Sequence, residues 1–347
     1  AASTSIGRLI FLFFLILALS VLLFFTLKKA ILDHFPKDTS KSKLKVSLLF
    51  IPLLGILFIT LRGGITTSTM NVGRAYYCND TFLNHSAINP VFSILYSVSH
   101  MNKDLASKYK FMEKETAEKI FDDLMKHDNN LHTARLLNME RPNIVFILLE
   151  SFGRAVVEPL GGAKNVTPNL NRLIDEGVLF SNMYANSFRT DRGIVSILGA
   201  YPAQPTMSIL KYPTKVETLN SIPKSLFENG YNTSFTYGGD IHFAGMSTFF
   251  LSQKVADLTK DTNFALKDRL SKWGAPDHIV LPRFEKEILN ETNQPFFKGM
   301  LTLSSHEPFD VPFHKFDNPY LNSVAYTDSC LGLFVDALKK SPKWENT

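Results

Sequence analysis

Hydrophobic positions are distributed unevenly along the chain: two long apolar runs come first, then a mixed stretch, then short apolar segments alternating with amphipathic ones. Leu9 to Leu27 and Val46 to Leu61 contain no charged residue. At about 1.5 Å of rise per residue the first spans a roughly 30 Å hydrocarbon core and the second nearly does, which predicts two transmembrane helices. The first run is too long for a secretory leader, and no small-residue cleavage site precedes Lys28. Between Gly63 and about Glu140 the breakers Gly63, Gly64, Asn71 and Gly73 are followed by an apolar face over Ala87 to Val98, suited to a membrane surface. A charged helical pattern over Lys114 to His127 comes next. Residues 63–140 therefore read as a juxtamembrane helical connector, with a solvated spacer as the plainer alternative.

From Arg141 the pattern changes to alternating strands and helices. Ile144 to Leu149, bounded by Pro142 and Glu150, fits a buried parallel strand. Helices are predicted over Thr167 to Glu176, with Pro168 in the first turn and Gly177 as the stop, over Thr190 to Leu198, and over Ile222 to Glu228, closed by Asn229 and Gly230. Tyr231 to Tyr237 and Phe296 to Leu303 read as further strands. The pattern predicts an α/β fold, a mainly parallel sheet flanked by helices, over residues 141–347 and preceded by a membrane region over 1–62.

Charge orients this arrangement. Lys28, Lys29, Lys37, Lys41, Lys43 and Lys45 lie between the two apolar runs against only Asp33 and Asp38, so the positive-inside rule makes that loop cytoplasmic and everything after Arg62 extracytoplasmic. The net charge of +5 owes much to this cluster, which argues against nucleic acid as a partner. The chain opens on Ala1 and not on Met, so further helices upstream are expected. Cys78 and Cys330, its two cysteines, match no zinc spacing and read as free thiols, with a disulfide between them in an oxidising compartment as the alternative, leaving any metal to oxygen and nitrogen ligands.

Three residues carry candidate chemistry. Glu150 ends an apolar strand at the sheet edge where open α/β folds bind ligands, although a carboxylate there is also the ordinary first solvated residue. Thr190 stands at a helix start, where backbone N–H groups and the helix dipole favour an anion; an N-cap backed by Asp191 is the plainer alternative. His306 follows a strand in a loop, where a lone histidine is commonly polar surface.

The segments around these residues resemble the alkaline phosphatase superfamily and, within it, the lipoteichoic acid synthase and phosphoglycerol transferase family. The resemblance runs through NIVFILLESFGR, TPNLNRLIDEGVLFSNMYA, YANSFRTDRG, YGGD at Tyr237 to Asp240, WGAPDH at Trp273 to His278, TLSSHEPF and AYTDSCLGLFVDAL. It implies Glu150 as a metal ligand, Thr190 as nucleophile and metal ligand, and His306 as a substrate-binding residue, with Arg192, Asp240 and His242 as further candidates for substrate contact. The implied ion is manganese, with magnesium also compatible with oxygen ligands. The implied function is a membrane-anchored, metal-dependent phosphoglycerol (or related phospho-alcohol) transferase in a bacterial-type cytoplasmic membrane, multi-pass, with an extracytoplasmic catalytic domain. A lipid donor such as phosphatidylglycerol and an envelope glycolipid or glycan acceptor go with it.

The chemistry suits the residue types, because a threonine hydroxyl is a poor nucleophile until a cation stabilises its alkoxide. Two departures from the family pattern matter. The family's other metal ligands, in an Asp-His-Gly segment after a late strand, have no counterpart before SPKWENT, and C-terminal truncation is the expected reason. The family's Trp and Arg pair near the glycerol phosphate is replaced by DIHFAGMS, leaving Arg189, Arg192 and His242 as alternatives for that phosphate contact. Competing functions are a sulfatase-like hydrolase or phosphodiesterase and a non-catalytic envelope protein. Against sulfate esters, SFRTDRG lacks the Cys or Ser followed by x-Pro-x-Arg that formylglycine sulfatases share.

Overall fold

The computed structural model describes residues 6–32, 43–65, 68–99, 110–126, 136–137, 139–205 and 207–347. The chain divides after Gly64 into two compact units. In the first, both apolar runs are helical, α1 over Ile6–Leu32 and α2 over Lys43–Arg62, and the large apolar side chains described along them are exposed. Among the described residues no helix is long and apolar enough to cross a membrane. The loop bearing Asp33, Lys37, Asp38 and Lys41 lies outside the described residues.

The second unit opens with α3 (Thr81–Ser86), α4 (Pro90–Ser99) and α5 (Lys114–Met125). Within the apolar face expected over Ala87 to Val98, the helix starts at Pro90, where the Asn89 side chain accepts from the N–H groups of Val91 and Phe92 and caps it. His127 lies outside the described residues.

The rest alternates strands and helices as β1 (Ile144–Leu148), α6 (Pro168–Glu176), α7 (Thr190–Gly199), the single turn α8 (Pro213–Val216), α9 (Ile222–Glu228), β2 (Asn232–Tyr237), α10 (Met246–Ser252), β3 (Asp257–Thr259), α11 (Asp277–Leu289), β4 (Phe296–Leu301) and α12 (Pro319–Lys339). The four strands form one sheet in the order β1-β4-β2-β3, parallel throughout, with Ile144 opposite Phe297 and Tyr237 opposite Leu301. All C-terminal strand ends therefore open on one edge, the edge where ligands bind in such sheets.

Alternation along the strands divides the core in two. Ile144, Phe146, Leu148, Phe235 and Phe297 face α7 and α10, where Ile194, Leu198, Phe249 and Phe250 complete one layer. Val145, Ile147, Phe296 and Met300 face α11 and α12, where Phe284, Phe334 and Leu338 complete the other. The buried Asp328 of α12 accepts from the N–H groups of Asn169 and Leu170, so a carboxylate from another helix supplies the first turn of α6 with hydrogen-bond partners.

Candidate active site

Glu150 lies two residues beyond the last residue of β1, and its position is set by its neighbour strand. The strand expected to run from Phe296 to Leu303 leaves the ladder at Leu301, because the next residues bond to the end of β1. The Glu150 N–H donates to Thr302 Oγ1 at 2.8 Å, and Ser305 Oγ donates to the Glu150 carbonyl at 2.6 Å. Ser151 then turns the chain with φ of 59°, a left-handed value that is strained for a non-glycine residue. Tyr320 Oη holds that turn by donating to the Ser151 carbonyl at 2.7 Å.

The bracket over residues 302–305 is itself fixed by a residue that sequence reasoning passed over. Asp277, fully buried at the start of α11, accepts from Leu303 N–H at 2.8 Å, Ser304 N–H at 3.1 Å and Thr327 Oγ1 at 2.7 Å. Its own N–H donates to Ser304 Oγ at 2.9 Å. Burial pushes its carboxyl above the ordinary carboxylate range, and the hydrogen bonds it accepts from Thr327, Leu303 and Ser304 oppose the shift. The WGAPDH segment was the available signal for it: Gly274, with φ of 146°, presses so closely on Gly238 of YGGD that a side chain there would meet the Gly238 carbonyl. The two motifs are halves of one junction under the site.

Thr190 is the first residue of α7, with Arg189 as the N-cap residue, so the N-cap alternative does not hold. Its hydroxyl turns away from its own helix end and donates to Glu150 Oε2 at 3.0 Å. Asp191 is buried and pairs with Arg189 at 3.3 Å. The structure thus joins the two residues that the sequence put forward first. His306 is half-buried one residue beyond Ser305; its ring lies 4.4 Å from that of Trp273, centroid to centroid, and Trp273 Nε1 donates to the Glu307 carbonyl at 2.6 Å. Aromatic packing thereby fixes the imidazole beside the Glu150 bracket.

Asp240 and His242 form a second group. The His242 N–H donates to Asp240 Oδ1 at 2.9 Å, and the ring Nδ1 meets Ser247 Oγ at 3.1 Å. Burial, and next Lys260, lower the His242 pKa from its ordinary 6.5, with Asp240 opposing. Residues from the expected connector hold this loop: Ser68 Oγ donates to Asp240 Oδ2, Arg74 lies 3.7 Å from the same oxygen, and Asn71 Nδ2 donates to the His242 carbonyl at 3.3 Å. Gly73 approaches α10 so closely that a Cβ would sit 2.4 Å from Thr248 Oγ1. Residues 68–79 are therefore a structural wall of the second unit and not a free spacer.

Tyr237, fully buried at the end of β2, links the groups electrostatically: burial and then the charges of Glu150 and Asp240 hold its phenol above the ordinary range, so it remains protonated. Arg192 donates to the Pro205 carbonyl at 2.8 Å and lines a cavity of about 480 Å³ together with Arg189, Lys211, Asn71, Tyr96 and Phe243. This cavity adjoins the start of α7 and is rich in cations, a setting for an anionic group. His242 lines a neighbouring cavity of about 500 Å³ with Arg74 and Phe92. Both cysteines are free thiols.

Among the described residues no cluster of three or more His, Cys, Asp or Glu side chains forms a metal centre. The Glu150 and Thr190 oxygens are hard donors of the kind manganese or magnesium takes, and together they could supply part of a ligand set.

Residues 142–347 match the family model described as Sulfatase. The chain belongs to the sulfatase family. Among curated relatives it is 24% identical over 218 residues to the lipoteichoic acid synthase-like protein YvgJ of Bacillus subtilis (strain 168), covering 59% of this chain and 35% of that protein. It is 24% identical over 231 residues to phosphoglycerol transferase I of Xanthomonas campestris pv. campestris, covering 60% and 33%. The chain thus spans about a third of the length of these relatives. Among solved structures, a protein of the alkaline phosphatase superfamily from Vibrio parahaemolyticus aligns with a TM-score of 0.60 and 29% identity, over 69% of this chain and 62% of the other.

Proposed function

We propose that this chain carries the nucleophile half of a membrane-anchored, metal-dependent transferase that moves a phosphoglycerol or related phospho-alcohol group from a lipid donor to an envelope acceptor. The observation that carries the proposal is the 3.0 Å hydrogen bond between Thr190 Oγ1 and Glu150 Oε2 at the C-terminal edge of a parallel sheet. Relatives whose names include lipoteichoic acid synthase and phosphoglycerol transferase support the same chemistry. Glu150 and Thr190 would hold a divalent cation, which when bound supplies charge stabilisation at the nucleophile and the phosphoryl oxygens.

The chain's own residues then have distinct tasks. Glu150 orients the Thr190 hydroxyl and takes its proton as the Thr190 oxygen forms a bond to phosphorus and the bond to the diacylglycerol oxygen breaks, that oxygen taking a proton from His306. The group leaves Thr190 when an acceptor alcohol gives its proton to His306 and attacks the same phosphorus, and the departing Thr190 oxygen takes its proton back from Glu150. His306, held by Trp273, is the group for proton exchange with the alcohols. Arg189, Arg192 and Lys211 give the donor headgroup a cationic setting, and the Asp240–His242 loop faces its polyol. The uncharged runs Leu9 to Leu27 and Val46 to Leu61, with the lysine-rich stretch between them, support membrane anchoring and an extracytoplasmic catalytic part from the sequence alone.

The test is release of diacylglycerol from phosphatidylglycerol, with manganese present and after chelation, by this chain joined to a segment that supplies the remaining metal ligands. Manganese-dependent release is expected; equal release in the chelated sample would overturn the metal-dependent reading.

A further inference from the structure

A nineteen-residue segment, Thr81 to Ser99, contains no Lys, Arg, Asp or Glu. Within it, α4 places Val91, Ile94, Leu95 and Val98 at i, i+3, i+4 and i+7, a single helical stripe of the kind that faces the core of a globular protein. Here the stripe faces outward, with the four side chains 64%, 63%, 64% and 63% exposed. On α3, Phe82 extends the apolar surface at 76% exposure. Contiguous apolar surface of this kind marks an interaction site.

The opposite face of α4 is occupied. Phe92 and Tyr96 are half-buried and stack with ring centroids 5.9 Å apart. Tyr96 lines the 480 Å³ cavity that holds Arg189, Arg192 and Lys211, and Phe92 lines the adjoining cavity with Arg74 and His242. One short helix therefore has the cationic cavities behind it and a bare apolar stripe in front.

We infer that α3 and α4 lie on the surface of a bilayer containing anionic phospholipid, with the Val91–Val98 stripe among the acyl chains and the Phe92–Tyr96 face guiding a headgroup into the cavity behind. Two observations select this occupant. The cavity contains three cations against one carboxylate, Asp191, which is already paired with Arg189, so it complements an anionic headgroup. From Thr81 to Ser99 there is no Lys, Arg, Asp or Glu, and an uncharged helix with small polar residues between its apolar ones fits the headgroup and acyl boundary. The inference rests on the lipid-donor reading for its use, but its main test does not depend on turnover.

The experiment uses the full chain in phosphatidylcholine vesicles containing phosphatidylglycerol, with a nitroxide at Ile94→Cys or at Leu333→Cys, each in a Cys78→Ser background. Leu333 is a 75% exposed residue on α12 and serves as the aqueous reference. The position 94 label is expected to collide preferentially with oxygen and the position 333 label with a water-soluble nickel chelate. Equal aqueous access at both positions would overturn the inference, as would protection of position 94 that varies with the protein-to-lipid ratio, the signature of a second copy covering the stripe. In turnover, Ile94→Glu with Leu95→Glu is expected to lower activity about tenfold on bilayer phosphatidylglycerol and less than about twofold on a soluble short-chain form. Equal loss on both substrates would overturn the membrane role. If the unmodified chain turns over neither substrate, the nitroxide result decides this inference by itself.

Discussion

The two sides of the candidate site are held by different means. The nucleophile side is built from the ends of neighbouring strands: β1 delivers Glu150, residues 302–305 after β4 bracket it, and the buried Asp277 fixes the bracket with backbone hydrogen bonds. The loop from Asp240 to Ser247 is held from far away in sequence, by Ser68, Asn71 and Arg74, through one ion pair and a few side-chain bonds. Sheet register makes the first side rigid and intolerant of change. The second side is a fitted wall, whose side chains can change without disturbing the Glu150 and Thr190 pair.

The largest expected effect is on the rigid side. Thr190→Ala should lower turnover of a phosphodiester by about 10³-fold or more while leaving the thermal midpoint nearly unchanged. Asp277→Ala leaves the N–H groups of Leu303 and Ser304 and the Thr327 hydroxyl without their buried acceptor. It should therefore destabilise the second unit by about 2–4 kcal/mol in denaturant unfolding. On the wall, Arg74→Ala should reduce kcat/KM by about tenfold, mainly through KM, with a stability loss of about 1 kcal/mol or less. A larger loss of stability from Arg74→Ala than from Asp277→Ala would break the comparison.

The smallest effect concerns pH. Because the folded pKa of His242 lies below the ordinary 6.5, the unfolded chain binds the extra proton first, and stability falls as pH drops through 6.5 toward the folded value. His242→Gln should flatten that acid limb. An NMR titration of the parent chain should place the His242 midpoint below 6.5; a midpoint above it would show that Asp240 outweighs burial.

The nucleophile side was the more legible in sequence for the same reason that it is rigid. A bounded apolar run and a hydroxyl at a helix start are local patterns, and they located Glu150 and Thr190 without knowledge of their 3.0 Å separation. β3 was missed because Asp257–Thr259 is too short to show a period. Asp277 has no local signature within WGAPDH, since a buried carboxylate is recognisable only from the N–H groups that converge on it. The wall was illegible because its partners are distant: Ser68 and Arg74 sit in a turn-rich stretch with no periodicity, and their task appears only when Asp240 is beside them.

The central claim is that Thr190 becomes covalently modified during transfer. Acid-quenched peptide mass spectrometry after incubation with phosphatidylglycerol and manganese tests it most directly. The account predicts a glycerophosphoryl adduct on the peptide containing Thr190, absent from Thr190→Ala; turnover with an adduct on another residue, or undiminished turnover in Thr190→Ala, would contradict it.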